Sequence, residues 1–72
     1  MICLHEQTRT IGRMVASNRE EITIEPACSF ELRQFGEWRF ADDREVYPRH
    51  QLRCFLTRDA ALAALRKLES DQ

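Results

Sequence analysis

Glu21, Ile22, Thr23, Ile24, Glu25, Pro26, Ala27, Cys28, Ser29, Phe30, Glu31, Leu32, Arg33, Gln34, Phe35, Gly36, Glu37, Trp38, Arg39 and Phe40 form the stretch whose reading decides the fold. Apolar and polar residues alternate along it with the period of two that a half-buried strand requires. Ile22 and Ile24 alternate with Glu21, Thr23 and Glu25; Phe30 and Leu32 with Glu31 and Arg33; Trp38 and Phe40 with Glu37 and Arg39. The pattern predicts three strands.

Register tests this reading, because residues facing each other across a hairpin share a face. A two-residue loop would set Leu32 opposite Arg39. A three-residue loop of Gln34, Phe35 and Gly36 pairs Arg33 with Glu37, Leu32 with Trp38, Glu31 with Arg39 and Phe30 with Phe40. It also puts Gly36 at the left-handed third position such loops favour. Upstream, a turn at Pro26, Ala27 and Cys28 sets Ile24 opposite Phe30 and Ile22 opposite Leu32, which makes a meander.

Outward from this core, Thr57 reads as the N-cap of a C-terminal helix, with Asp59 in its first turn and Ala61, Leu62, Leu65 and Leu68 as its apolar stripe. Arg66 and Lys67 suit its C-terminal end. Leu52 to Leu56 is expected to be a fourth strand, in preference to one long helix opened by Pro48. Residues 41 to 50, with Asp42, Asp43, Arg44, Glu45 and Pro48, read as an exposed loop. At the N-terminus, Leu4, Thr8, Ile11 and Val15 fall on a helical face. Thr8, Thr10 and Gly12 favour instead a strand from Thr10 to Ala16 that turns at Ser17 and Asn18. The expected fold is therefore α+β: a small antiparallel β-meander of three to five strands, with one C-terminal α-helix packed on one face.

Seventy-two residues allow a single small domain, and 43% apolar with 32% charged residues is a globular composition. No 18-residue apolar run spans a membrane, and the start Met1, Ile2, Cys3, Leu4, His5, Glu6 lacks the marks of a signal peptide, so a cytoplasmic protein is expected. Three cysteines without paired spacing, Cys3, Cys28 and Cys54, predict reduced thiols rather than a disulfide framework. Cys3 with His5 and His50 with Cys54 are soft ligand pairs. Their spacing matches no zinc signature, and neither a metal nor another cofactor is expected.

The chemistry of catalysis is missing from the pattern. Gly12 and Gly36 are the only glycines, so no phosphate-cradling loop is present, and there is no His-Glu-x-x-His, Cys-x-x-Cys or Gly-x-Ser-x-Gly. His50 beside Cys54 on a helix would activate a thiolate, but a surface His next to a core Cys is the simpler reading. No enzymatic activity is expected.

Charge is segregated although its net value is −1. Residues 20 to 45 hold eight acids, Glu20, Glu21, Glu25, Glu31, Glu37, Asp42, Asp43 and Glu45, against Arg33, Arg39 and Arg44. Residues 46 to 68 hold Arg49, Arg53, Arg58, Arg66 and Lys67 against Asp59. The meander places Glu21, Glu25, Glu31 and Glu37 on one outer face, which Asp42, Asp43 and Glu45 extend. These seven are the candidate contacts for a protein partner or macromolecular complex. The alternative is nucleic-acid binding through Arg49, Arg53, Phe55 and Arg58, if Leu52, Cys54 and Leu56 point inward and Arg53 and Phe55 outward. A homodimer is a third expectation, with Phe35 and Phe55 as contacts, because a core this small gains from oligomerisation.

In length and plan, a strand meander followed by one Ala/Leu helix, the chain resembles the tiny accessory proteins of phages and mobile elements. Some of these inhibit host defence complexes such as CRISPR effectors. The resemblance is one of size and shape; it implies a non-catalytic inhibitor or modulator and assigns no residue a role.

Overall fold

The computed structural model describes residues 1–70. Its strands are β1 (Ile2–His5), β2 (Thr10–Ser17), β3 (Glu21–Pro26), β4 (Glu45–Pro48) and β5 (Leu52–Phe55); its helices are α1 (Ser29–Phe35) and α2 (Arg58–Ser70). All strands form one antiparallel sheet of order β4-β3-β2-β1-β5, so the fold is α+β as expected. β1 to β4 are successive neighbours, and β5 returns to the free side of β1.

Alternation places Ile2, Leu4 and Ile11 on one face of the sheet, where they bury against Ala27 and Leu32 on one side and Ala61 and Leu65 of α2 on the other. Trp38, Phe40, Phe55, Leu62 and Leu68 seal the rim of this core. Leu32 and Leu65 are each worth about 1.5–3 kcal/mol of burial there. The opposite face carries Cys3, Ile22 and Ile24, buried under Met14, Tyr47 and Leu52. Among the described residues no helix packs on this second core; the sheet curls over it.

Gly12 permits part of that curl. It pairs with Pro26, and a Cβ on it would lie 2.6 Å from the carbonyl oxygen of Glu25. Two residues later the register shifts between Met14 and Ala16, and such a bulge strengthens local twist.

The strand from Thr10, the strand from Leu52 and the helix capped by Thr57 all form; the Thr57 hydroxyl oxygen accepts from the Ala60 amide at 3.1 Å. The hairpin does not. Only Glu21–Pro26 of the expected meander is a strand, and Ser29–Phe35 is a helix that buries Leu32 alone. The reason is the core: α1 drops one leucine between sheet and α2, whereas a strand would have offered both Phe30 and Leu32. Gly36 is left-handed at φ 68°, as expected, but as the C-cap of α1, donating to the carbonyls of Glu31 and Leu32. After α1 the chain returns beside its own start: the Cys28 amide donates to Arg39 at 2.7 Å and the Ala41 amide to Pro26 at 2.8 Å. This isolated bridge puts Phe40 opposite Ala27.

Two other expectations are corrected. β4 lies in the stretch read as loop, because Tyr47 pairs beside Ile22 and covers the second core. Cys3 and Cys54 are register partners across β1 and β5, and they are joined as a disulfide; Cys28 remains free and exposed. The sequence spacing carried no hint of this pair, since sheet topology alone makes them neighbours.

Candidate functional site

The seven acidic candidates do not share a face. Glu25 on β3 is drawn inward, its carboxylate 2.7 Å from Arg13 and 3.8 Å from Arg44. Glu31 is on α1, not on a strand, and receives Arg39 at 2.7 Å. That hydrogen bond, with the charge of the carboxylate, holds the Arg39 guanidinium above its ordinary range. Glu45 on β4 accepts from the Tyr47 hydroxyl. Glu21, Glu37, Asp42 and Asp43 remain exposed, and the described residues give them no ion pair. The continuous acidic sheet face is thus corrected: three of the seven carboxylates serve the fold, because the helix replaces the strand that would have aligned them.

At the ion pairs of Glu25 and Glu31 the acids lie beneath and the guanidiniums outside. The side chains of Arg13, Arg39 and Arg44 are 51%, 75% and 66% exposed, against 12% and 21% for Glu25 and Glu31. Arg13 and Arg58 lie over the Phe40 ring at 4.7 and 5.5 Å, and Arg58 also lies 5.8 Å from the Trp38 centroid.

The basic candidates are dispersed. Arg49 donates from Nε and Nη2 to the Asn18 carbonyl at 3.0 and 2.5 Å, tying the turn after β4 to the β2–β3 turn. Arg53 lies 5.3 Å over Phe55 and 3.9 Å from Glu6. Arg58 begins α2 and belongs to the Trp38 and Phe40 cluster. The expected orientation of β5 is corrected too: Phe55 packs toward the helices, while Leu56 is 86% exposed. Both faces of the sheet carry an apolar cluster, so alternation alone did not identify the inward side.

Two groupings were not read from the sequence. His5 is buried, with Nδ1 accepting from the Thr8 hydroxyl at 2.8 Å and Nε2 donating to Gln51 Oε1 at 3.1 Å. Thr8 in turn meets Thr10 at 2.8 Å, and the His5 ring stacks on Tyr47. Burial, then the hydrogen bond to Glu45, keeps the Tyr47 phenol protonated beyond its ordinary range. Both imidazole nitrogens are committed to neighbours, so this cluster clamps the curled sheet. Among the described residues, no three His, Cys, Asp or Glu side chains converge as metal ligands.

The second grouping is on α1. Phe30 and Phe35 are 65% and 66% exposed, and their rings meet edge to face at 6.0 Å. Leu32, between them, is fully buried, which turns the outer side of the helix to solvent. Arg33 fastens that helix to α2 through Glu69 at 2.5 Å. No helical periodicity announced this pair: five residues apart on a helix, Phe30 and Phe35 stand about 140° apart around its axis, and the strand alternation read more strongly. No helix among the described residues is long and apolar enough to cross a membrane. No family model, curated protein or solved structure matches this chain.

Proposed function

We propose that the chain is a non-catalytic binding module that docks on a protein or larger complex through the outer side of α1 and the segment after it. The observation that carries this reading is the exposed Phe30 and Phe35 pair on a helix fixed at both ends. The Cys28 amide ties its start to the Arg39 carbonyl, Gly36 caps its end, and Arg33 in its last turn pins it to α2. Exposed aromatic residues on a rigid support are the usual anchors of protein interfaces. Glu37, Asp42 and Asp43, exposed in the following segment, suit a partner socket with a basic rim and speed encounter with it. Occupying such a surface is enough to inhibit or modulate a larger assembly, and it needs no catalytic group.

The test is capture of partners from lysate, with nuclease added, by the native chain and by a Phe30→Ser/Phe35→Ser variant whose fold is checked by circular dichroism. A nuclease-resistant partner retained by the first and lost by the second supports the reading. Retention by both, and by a variant reversing Glu37, Asp42 and Asp43, overturns it.

A nucleic-acid reading draws on one observation, the guanidiniums of Arg13 and Arg58 over the stacked Trp38 and Phe40. Of the basic segment, Arg58 alone belongs to that cluster. It requires an affinity for single strands that falls linearly with salt on logarithmic axes.

A further inference from the structure

We propose that the outer edge of β5 pairs with β5 of a second copy of this chain, antiparallel about Cys54, joining two sheets into one. The backbone directions set the register. The Met14 amide donates to the Met1 carbonyl at 3.0 Å, so the odd residues of β1 bond toward β2 and Ile2 and Leu4 bond toward β5. Their partners Phe55 and Arg53 bond back to β1. The close Cα separation of Cys3 and Cys54, 4.1 Å, is that of a pair without mutual backbone bonds. The amide and carbonyl of Cys54 therefore point away from the sheet, as do the Leu52 carbonyl and the Leu56 amide. The Leu52 amide is already used, donating to Arg49.

Pairing about Cys54 matches these free groups to themselves. Cys54 exchanges both bonds with the partner's Cys54, and the Leu56 amide meets the Leu52 carbonyl of the partner subunit, in both directions. On one face Leu56, 86% exposed, comes beside the partner's Leu52. On the other, Arg53 faces the partner's Phe55, the contact it already makes within its own chain at 5.3 Å. The two-fold axis closes the assembly, leaves no further β5 edge and puts both α2 helices on the same face. There, a groove of about 430 Å³ along β5 is floored by Ala60, Ala63 and Ala64 and bordered by Arg53, Phe55, Lys67 and Leu68.

The other edge of the sheet is guarded. β4 ends in Pro48, which has no amide to donate, and it carries Glu45. β5 has neither proline nor acid, and Leu56, directly after it, is the most exposed large apolar side chain among the described residues. This interface is separate from the Phe30 and Phe35 surface, so a dimer would present that surface twice.

The experiment is sedimentation of the oxidised protein across a wide concentration range, paired with amide hydrogen exchange at high and low concentration. The expected mass at high concentration is twice 8.5 kDa. The Cys54 and Leu56 amides should lose protection on dilution while Arg53 and Phe55 keep theirs. Leu56→Lys should raise the dissociation constant at least about tenfold, since each substitution acts twice across the axis. A monomer at every concentration overturns the proposal. So does a dimer that Leu56→Lys leaves intact but Phe30→Ser/Phe35→Ser dissociates, or concentration-independent exchange at Cys54.

Discussion

The rings of His5 and Tyr47 stack with centroids 4.6 Å apart, although β3 and β2 separate their strands in the sheet. In a flat sheet the two backbones would stand about 14 Å apart, at three strand spacings. Curl and side-chain reach together close that span, and Ile22, Ile24 and Cys3 are sealed without a second layer. Tyr47→Ala removes this lid and is expected to cost about 2–4 kcal/mol, measured as a lower urea midpoint. Tyr47→Phe keeps the lid, loses the hydrogen bond to Glu45, and should cost under about 1.5 kcal/mol.

Alkali should undo the same contact. Burial and the Glu45 hydrogen bond raise the Tyr47 phenol above its ordinary value of 10.0. The folded state therefore holds its proton more tightly than the unfolded chain does. Stability from this group is complete below the unfolded value and falls as pH rises from there through the folded one. The expected result is a phenolate absorbance transition displaced upward in the native protein and an unfolding midpoint that drops over the same range. Tyr47→Phe should abolish that drop.

The disulfide joins residues 51 apart in sequence, and closing a loop of that length restrains the unfolded chain by about 4 kcal/mol in the chain-entropy model. Reduction, or Cys3→Ser with Cys54→Ser, should lower stability by an amount of that order. Thiol titration gives the direct check: one reactive group in the native oxidised protein, from Cys28, and all three after denaturation with reductant.

The two glycines should respond differently to alanine. At Gly12 the new Cβ meets the Glu25 carbonyl, so β2 and β3 must part, with an expected loss of about 1–3 kcal/mol. At Gly36 the Cβ meets nothing within 4 Å, and the cost is conformational, about 1 kcal/mol, with Asn tolerated better than Ala. Thermal midpoints of Gly36→Ala and Gly36→Asn would show that order.

How far the sequence was legible follows from range. Thr57 and the stripe from Ala61 to Leu68 are local signals, and α2 reads directly. Glu21 to Pro26 alternates over enough residues to be a strand, and Thr10 to Ala16 was legible from Thr8, Thr10 and Gly12, which disfavour a helix. Phe30 to Arg33 alternates over only four residues, and helix and strand both satisfy so short a pattern. The hairpin register nevertheless brought together residues that do meet: Glu31 with Arg39 as an ion pair, and Trp38 with Phe40, expected on one face, as stacked rings. A left-handed glycine ends a helix as readily as it turns a hairpin, so Gly36 gave no help in choosing. Contacts set by the whole sheet, such as Cys3 with Cys54 and His5 with Tyr47, have no local trace. The acidic face was lost with the misread strand, since Glu31 and Glu37 were aligned only by it.

Because β5 closes beside β1, the strand of this sheet that is synthesised before the others is among the last to gain its second neighbour. Strands β1 to β4 can zip in the order of synthesis, each beside its predecessor. Until residues 52 to 55 emerge, the nascent chain carries Ile2 and Leu4 on an uncovered border, and Cys3 waits as a thiol. Vectorial synthesis thus leaves a short-lived sticky border along β1, the place where a chaperone would bind a growing chain of this topology.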